Sequence, residues 1–406
     1  MNALRTPSPR LLALACAAAC GLAHAQSDET SLNFSGFATA GVVRTTESRA
    51  VFGVPGQADD GATRSASFTP DTKLGLQLSG KLNSMFSATG QVITKYTGDG
   101  NWTPTVEWAF VKAQLTPQVG VRVGRIGLPI FSVSDFRDVN YANVWMRPPL
   151  DVYGQVPVSH ADGADISWQF QLAGATVNTQ LFGGKSSAVY TGNKLDLKDI
   201  YGLNATVELD GGWTLRLGHV ESKLTVHNAA LNGLLTVVNG AGFTSVAQQL
   251  DPTNKPASFS GLGLGYDQGN WVASAEYTRR KNQSYVSDTT GWYTSVGYRI
   301  GNFTPYAVIS AIKVDDSNVV NTIPKGVAPA LTGLSMAVDG AVATQALGQK
   351  SAALGLRWDA YRNTALKFQM EHIKTDGGRG LFGYPQTGFG DGASVNVYGL
   401  SVDHVF

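Results

Sequence analysis

Cysteine is nearly missing from this chain: it occurs only at Cys16 and Cys20, and nowhere after them. Everything beyond residue 20 therefore holds neither a disulfide framework nor a thiolate metal site. Charge is scarce too, at 15% of residues with a net of +1. Such a balance gives no reason to expect nucleic acid as a partner. Long apolar runs are also lacking. Outside Leu11–Ala19 there is no stretch of roughly 18 uncharged apolar residues, which excludes a helical membrane topology. No cofactor and no metal ligand set is expected.

What is present begins with a leader. Arg5 and Arg10 form a basic region, Leu11–Ala19 a short apolar core, and Ala23-His24-Ala25 a small-x-small cleavage site before Gln26. Residues 1–25 are expected to be a secretory signal, and both cysteines would leave with it. Cys20 could instead accept a lipid, but Ala17-Ala18-Ala19 lacks the usual leucine. After removal of Arg5 and Arg10, 29 basic residues face 30 acidic ones.

From about residue 30 the chain falls into segments of about ten alternating residues, separated by Gly, Asn, Asp and Pro. In Lys73–Leu82, leucines 74, 76, 78 and 82 share one face, opposite Lys73, Gln77, Ser79 and Lys81. Trp213–Ser222 and Ser351–Ala360 repeat the pattern. Sixteen candidate strands result, the first at 32–43 and the last at 394–406. Short connections such as Asn83-Ser84 and Gly269-Asn270 alternate with long ones at 44–71, 97–104, 126–162, 184–198, 223–257, 282–288, 314–349 and 375–393. This predicts an all-β fold: an antiparallel up-and-down transmembrane barrel over 26–406, with its tight turns at one end. A soluble β-sandwich also alternates, but has no cause to sort its loops by length. Trp213, Trp271, Tyr201, Tyr266, Tyr298, Trp358 and Tyr398 cluster near strand ends, as an interfacial girdle requires.

Sixteen strands leave an aqueous lumen. Alternation places Lys73, Lys81, Lys95, Arg122, Arg216, Arg280, Arg299, Arg357 and Lys367 on its wall, with Asp165, Glu208, Glu276, Asp359 and Glu371. Any of these could be a solvated wall residue that touches no solute.

One stretch, Gly124–Asp162, keeps neither a helix nor a strand period. It mixes aromatics with fixed charges and holds Pro148-Pro149. Irregular segments of that length are usually functional or disordered, and the aromatic content argues against disorder. By strand parity it is the third long loop, at 126–162. Arg125, Arg137 and Arg147 could supply the positive side of a constriction, and Asp135, Asp138 and Asp151 the negative side. Tyr141 and Trp145 would pack on the wall. Alternatively Arg137–Asp138 and Arg147–Asp151 pair with each other and brace the loop.

The whole-chain pattern resembles the sixteen-stranded porins of bacterial outer membranes. Its loop also resembles a porin-like family with Gly-Arg, Leu-Pro, Asp-Val-x-Tyr and Arg-Pro-Pro landmarks. The alternating Tyr398, Leu400, Val402, His404 and Phe406 resemble the C-terminal strand by which the barrel-assembly machinery recognises its clients, His404 being unusual there. The resemblance implies a third loop folded into the lumen, an outer-membrane lipid environment, a homotrimer, and passive diffusion of small hydrophilic solutes. The inward Lys/Arg count adds an expected preference for anions or organic acids. Ser159-His160-x-Asp162 has the residue types of a hydrolase, but triads are assembled in space rather than in sequence, and no enzymatic activity is expected. An adhesion or anchoring barrel, acting through the apolar, Asn/Gly-rich stretches in 223–257 and 314–349, is the rival reading.

Overall fold

The computed structural model describes residues Thr30–Phe406; the expected leader and its cysteines lie outside the described residues. The first half of the chain forms β1 (Ser31–Thr45), β2 (Lys73–Lys81), β3 (Phe86–Lys95), β4 (Thr105–Gln114), β5 (Val119–Gly127), β6 (His160–Leu172), β7 (Ala175–Tyr190) and β8 (Asn193–Leu209). The second half forms β9 (Trp213–His227), β10 (Lys255–Gln268), β11 (Trp271–Asn282), β12 (Asp288–Tyr298), β13 (Phe303–Asp316), β14 (Gln349–Tyr361), β15 (Thr364–Thr375) and β16 (Ser394–Val405). Each strand pairs antiparallel with its sequence neighbours, and β1 pairs with β16 to close the ring. At the seam Gly36 and Phe406 exchange backbone hydrogen bonds of 2.8 and 3.0 Å, so no unpaired edge is left.

Alternation in the sequence becomes two faces. Leu76, Leu217, Leu264 and Leu354 point outward and are largely exposed, as are Ile166, Leu181 and Leu203. An apolar band of this extent suits a lipid surface rather than water. Near the tight turns it is bordered by ring pairs: Trp213 with Tyr266 (4.6 Å), Trp271 with Tyr298 (4.8 Å) and Phe303 with Trp358 (5.8 Å). Higher on the wall, Tyr277 and Trp292 face each other across β11 and β12.

Three long connections differ from their expected form. Residues 184–198 are not a loop, because β7 and β8 continue into a hairpin closed by Thr191 (φ 46°) and Gly192 (φ 77°). Two consecutive positive φ values make a tight turn whose twist suits paired strands. Register shifts at Gly184/Ser186 and Lys198/Tyr201 break the phase of the alternation there, which hides the strands. Residues 223–257 carry α2 (Ala229–Gly240) and α3 (Thr244–Leu250), and 314–349 carries α4 (Pro329–Ala343). Leu231 and Val238 of α2, Leu250 of α3 and Val338 of α4 form one buried cluster with Tyr285. Part of each apolar stretch is thus used in packing, while Val237 and Met336 remain exposed.

Candidate functional site

Between β5 and β6 the chain runs through short 3-10 turns at Ser134–Phe136 and Asn140–Ala142 and a single helical turn, α1 (Leu150–Tyr153). Local chemistry sets this path. The Ser134 hydroxyl accepts the backbone N–H groups of Ile130 (3.1 Å) and Phe131 (2.8 Å). Pro149 starts α1 with φ −56°, near the value its ring imposes, and its carbonyl accepts from Val152 and Tyr153. Phe131 then packs on Tyr153 (4.7 Å) and on Phe259 of β10 (5.2 Å).

The segment bonds to inward-facing side chains on opposite sides of the ring. Asp138 accepts from Lys73 of β2 (3.2 Å) and Lys95 of β3 (2.9 Å). Across the barrel, Trp145 Nε1 donates to Ser295 of β12 (2.7 Å), and the Tyr153 hydroxyl donates to Glu276 of β11 (2.9 Å). The Gln155 amide donates to Thr278 (2.7 Å) and accepts from Thr289 (2.9 Å). Ser310 of β13 donates to Asp151 (2.6 Å). A segment tied to the inner faces of β2–β3 and of β11–β13 passes through the interior of the ring. Glycine on the wall makes room for it: a Cβ at Gly291 would strike Gln155, and one at Gly399 would strike Met146.

Several cations expected to line an open lumen instead hold this segment. Lys367, fully buried, donates to the carbonyls of Asn140, Asn143 and Trp145 (2.6, 2.8 and 2.8 Å) and pairs with Asp403 (3.0 Å). Arg357 donates to the carbonyls of Tyr141 (2.6 Å) and Asn143 (2.9 Å), with its guanidinium 4.9 Å from the Tyr141 ring centre. Arg216 donates to the Pro129 carbonyl and Arg280 to that of Gln155 (2.8 Å). Irregular backbone has unsatisfied carbonyls, and cations on the wall answer that need.

Arg147 and Asp151 are buried and do not pair with each other. Arg147 forms hydrogen bonds of 3.0 and 2.6 Å with Asp71 and lies 3.6 Å from Glu371. Burial works against its charge, but Asp71 and Glu371 outweigh it and raise its pKa above the ordinary arginine value. For Asp151 burial prevails over the Ser310 hydrogen bond, and its pKa is raised. Asp138 does not pair with Arg137. Burial opposes its ionisation, yet Lys95, Lys73 and Arg137 together hold its carboxyl well below the usual carboxylate range. Arg125 is on the opposite face from the lumen. It shares the outward parity of Val123 and pairs with Asp162 (2.7 Å). Among the described residues Asp162 makes no hydrogen bond to Ser159 or His160; the His160 ring Nδ1 lies 3.3 Å from Glu107 and 3.5 Å from the Ser159 hydroxyl.

Asp135 is exposed and Arg137 half-buried; among the described residues neither forms an ion pair. On the strands of β4–β8, Lys112, Arg122, Asp165 and Gln180 point inward, with Arg122 bonded to Asp165 (2.9 Å) and Gln180 to the same carboxylate (3.1 Å). Among the described residues no hydrogen bond runs from 128–158 to the inward side chains of β6–β8. Lys81 is exposed at the inner wall near the tight turns, and Arg299 pairs with Asp267 at that same end (2.7 Å).

The chain that forms this closed sixteen-strand ring with its apolar exterior is matched at the level of sequence over nearly its whole length. Residues 12–406 match the family model described as Gram-negative porin. The chain belongs to that family. The porin resembles solved structures at the level of the fold. OmpF of Salmonella typhi, in a complex with daunomycin, shares 13% identity, with 93% of this chain and 98% of that one covered and a TM-score of 0.57. OmpT of Vibrio cholerae in a trimer form shares 11% identity over 93% and 100%, TM-score 0.53. The outer membrane channel DcaP of Acinetobacter baumannii shares 12% over 94% and 99%, TM-score 0.51. No curated protein matches the chain.

Asp71, Gln155 and Asn143 hold the porin's inner segment in place, and the sequence does not single them out. Asp71 sits in the first long connection, and only the closed ring brings it to Arg147.

Proposed function

We propose that this porin is a passive channel for small hydrophilic solutes, with water passing between the exposed edge of 134–138 and the inner wall of β2–β8. One observation carries the reading. The segment is anchored on β2–β3 through Asp138 and on β9–β16, yet Asp135 and Arg137 form no ion pair among the described residues and the polar side chains of β4–β8 stay clear of its hydrogen bonds. Fixed charge on two sides of a narrow water path selects solutes by sign and dipole. Arg137 and Asp135 act there from the segment, and Lys112, Arg122 and Lys81 from the wall. Along this path, among the described residues, Lys81, Lys112 and Arg137 form no ion pair, and neither do Asp135 and Glu208. The difference favours anions, organic acids included.

The protein acts without catalysis, as a homotrimer in the outer membrane. Signal 1–25 is removed, and Tyr398, Leu400, Val402 and Phe406 present the final strand to the assembly machinery. Purified protein in a planar bilayer should give stepwise, ohmic conductance, with a reversal potential in a salt gradient that favours anions and moves toward cations in Arg137→Ala. A folded, inserted and silent protein would remove the channel reading. An unchanged potential in the variant would remove Arg137 from the selectivity set.

A further inference from the structure

Above the inner segment the wall changes character. Leu195, Leu197 and Ile200 of β8, and Val220, Leu224 and Val226 of β9, line a cavity of about 610 Å³. Gly154–Val158 forms its floor, and Leu231 and Leu234 of α2 with Ala337 and Ala341 of α4 close over it. An apolar wall of this kind is poorly suited to a vestibule meant only to hold water. No Asp or Glu lines the cavity, but Arg280 and Arg379 do.

Both guanidiniums are held by carbonyls rather than carboxylates. Arg280 donates to the Gln155 carbonyl (2.8 Å) and the Ser287 carbonyl (3.0 Å), and its Nε is buried with no hydrogen-bond partner. Arg379 donates to the carbonyl of Thr344 (3.1 and 3.0 Å) and to that of Phe382. Burial lowers the Arg379 pKa from its ordinary value, against the opposing effect of Tyr190. Among the described residues neither arginine takes part in an ion pair. Two cations outside any ion pair, beside an apolar wall, fit one class of ligand.

We propose that this cavity binds a monocarboxylate with an apolar, aromatic-sized body, carboxylate toward Arg280 and Arg379 and body against Leu197 and Leu224. The site rests on the channel reading for its role, which is to gather such acids at the mouth before they pass Arg137. Binding itself does not depend on conductance.

Titration of 2-naphthoate into the full protein in lipid nanodiscs tests this, beside 2-naphthalenemethanol (same body, no charge) and acetate (charge, no body). Naphthoate should saturate one site, with the alcohol and acetate each about tenfold weaker or more, the scale of one lost charge-assisted contact. Arg379→Gln, a loop substitution outside the barrel wall, should weaken naphthoate about tenfold, and Leu197→Asn with Leu224→Asn should weaken it independently. Potassium chloride conductance should persist in all of these. Equal affinity for acid and alcohol, or naphthoate binding unchanged in Arg379→Gln, overturns the assignment. Saturable naphthoate binding by a protein that conducts no salt would support the site while removing the channel.

Discussion

Arg147 and Asp71 meet in a two-pronged ion pair of 3.0 and 2.6 Å, both side chains almost fully buried. The pair joins the third connection to the first, 76 residues apart, and the Phe52 ring lies 5.2 Å from the guanidinium. Removing Asp71 leaves the buried Arg147 with only the longer contact to Glu371, and breaking a buried pair costs about 3–5 kcal/mol. Asp71→Asn should therefore lower the denaturant midpoint in lipid vesicles markedly, whereas Asp71→Leu with Arg147→Met should recover most of the loss. Equal midpoints for Asp71→Asn and the parent would show that the pair does not hold the segment.

Asp138 gives a pH prediction. Its folded pKa is held down by Lys95, Lys73 and Arg137 against the effect of burial. The stabilisation of the seated segment is therefore fully present above the unfolded carboxylate value of about 3.9, and is lost only as pH falls through the depressed folded value. Single-channel conductance should stay level from about pH 7 to about pH 5 as far as this group is concerned. Asp138→Asn should raise open-channel noise across that whole range. Noise equal to the parent's would mean Lys73 and Lys95 do not depend on the carboxylate.

Glycine on the wall supplies a steric test. A Cβ at Gly291 would meet Gln155 and the Asp151 carbonyl. Gly291→Ala should cost about 1–3 kcal/mol through overpacking and widen the conductance by lifting α1. Gly301→Ala, at a turn with φ 57° and open space around it, should leave conductance alone. Calibrated single-channel recordings of both variants decide the matter.

The barrel was legible because each strand repeats the same two-residue signal, and closure multiplies it. Where that period is interrupted, as at the bulges near Gly184 and Lys198, the strands disappear from view. The sequence marked out 126–162 as the third long connection, but not its set of contacts. Arg147, Asp138 and Lys367 have the same composition signature whether they face water or a carbonyl. Only the closed ring, which brings Asp71 to Arg147 and Asn140 to Lys367, separates the two cases. Arg125 was misplaced for a related reason: it continues the outward row of Val121 and Val123 at the end of β5, and its charge drew it inward in a reading by chemistry.

The outer face makes its own demand. Leu217 and Leu262 are paired across β9 and β10 in the middle of the apolar band. Leu217→Arg should cost about 2–4 kcal/mol at the bilayer midplane. Ser79→Arg, on the inward side of β2, should cost far less. Unfolding titrations in lipid vesicles compare the two, and similar losses would contradict the division into lipid and water faces.

The most direct test uses the absence of cysteine from the chain beyond Cys20. A cysteine replacing Arg137, treated with a bulky cationic thiol reagent during planar-bilayer recording, should cut the single-channel current. The same reagent on a cysteine replacing Leu217 should leave it unchanged. Current that is unaffected after complete labelling at position 137 would contradict a water path along 134–138.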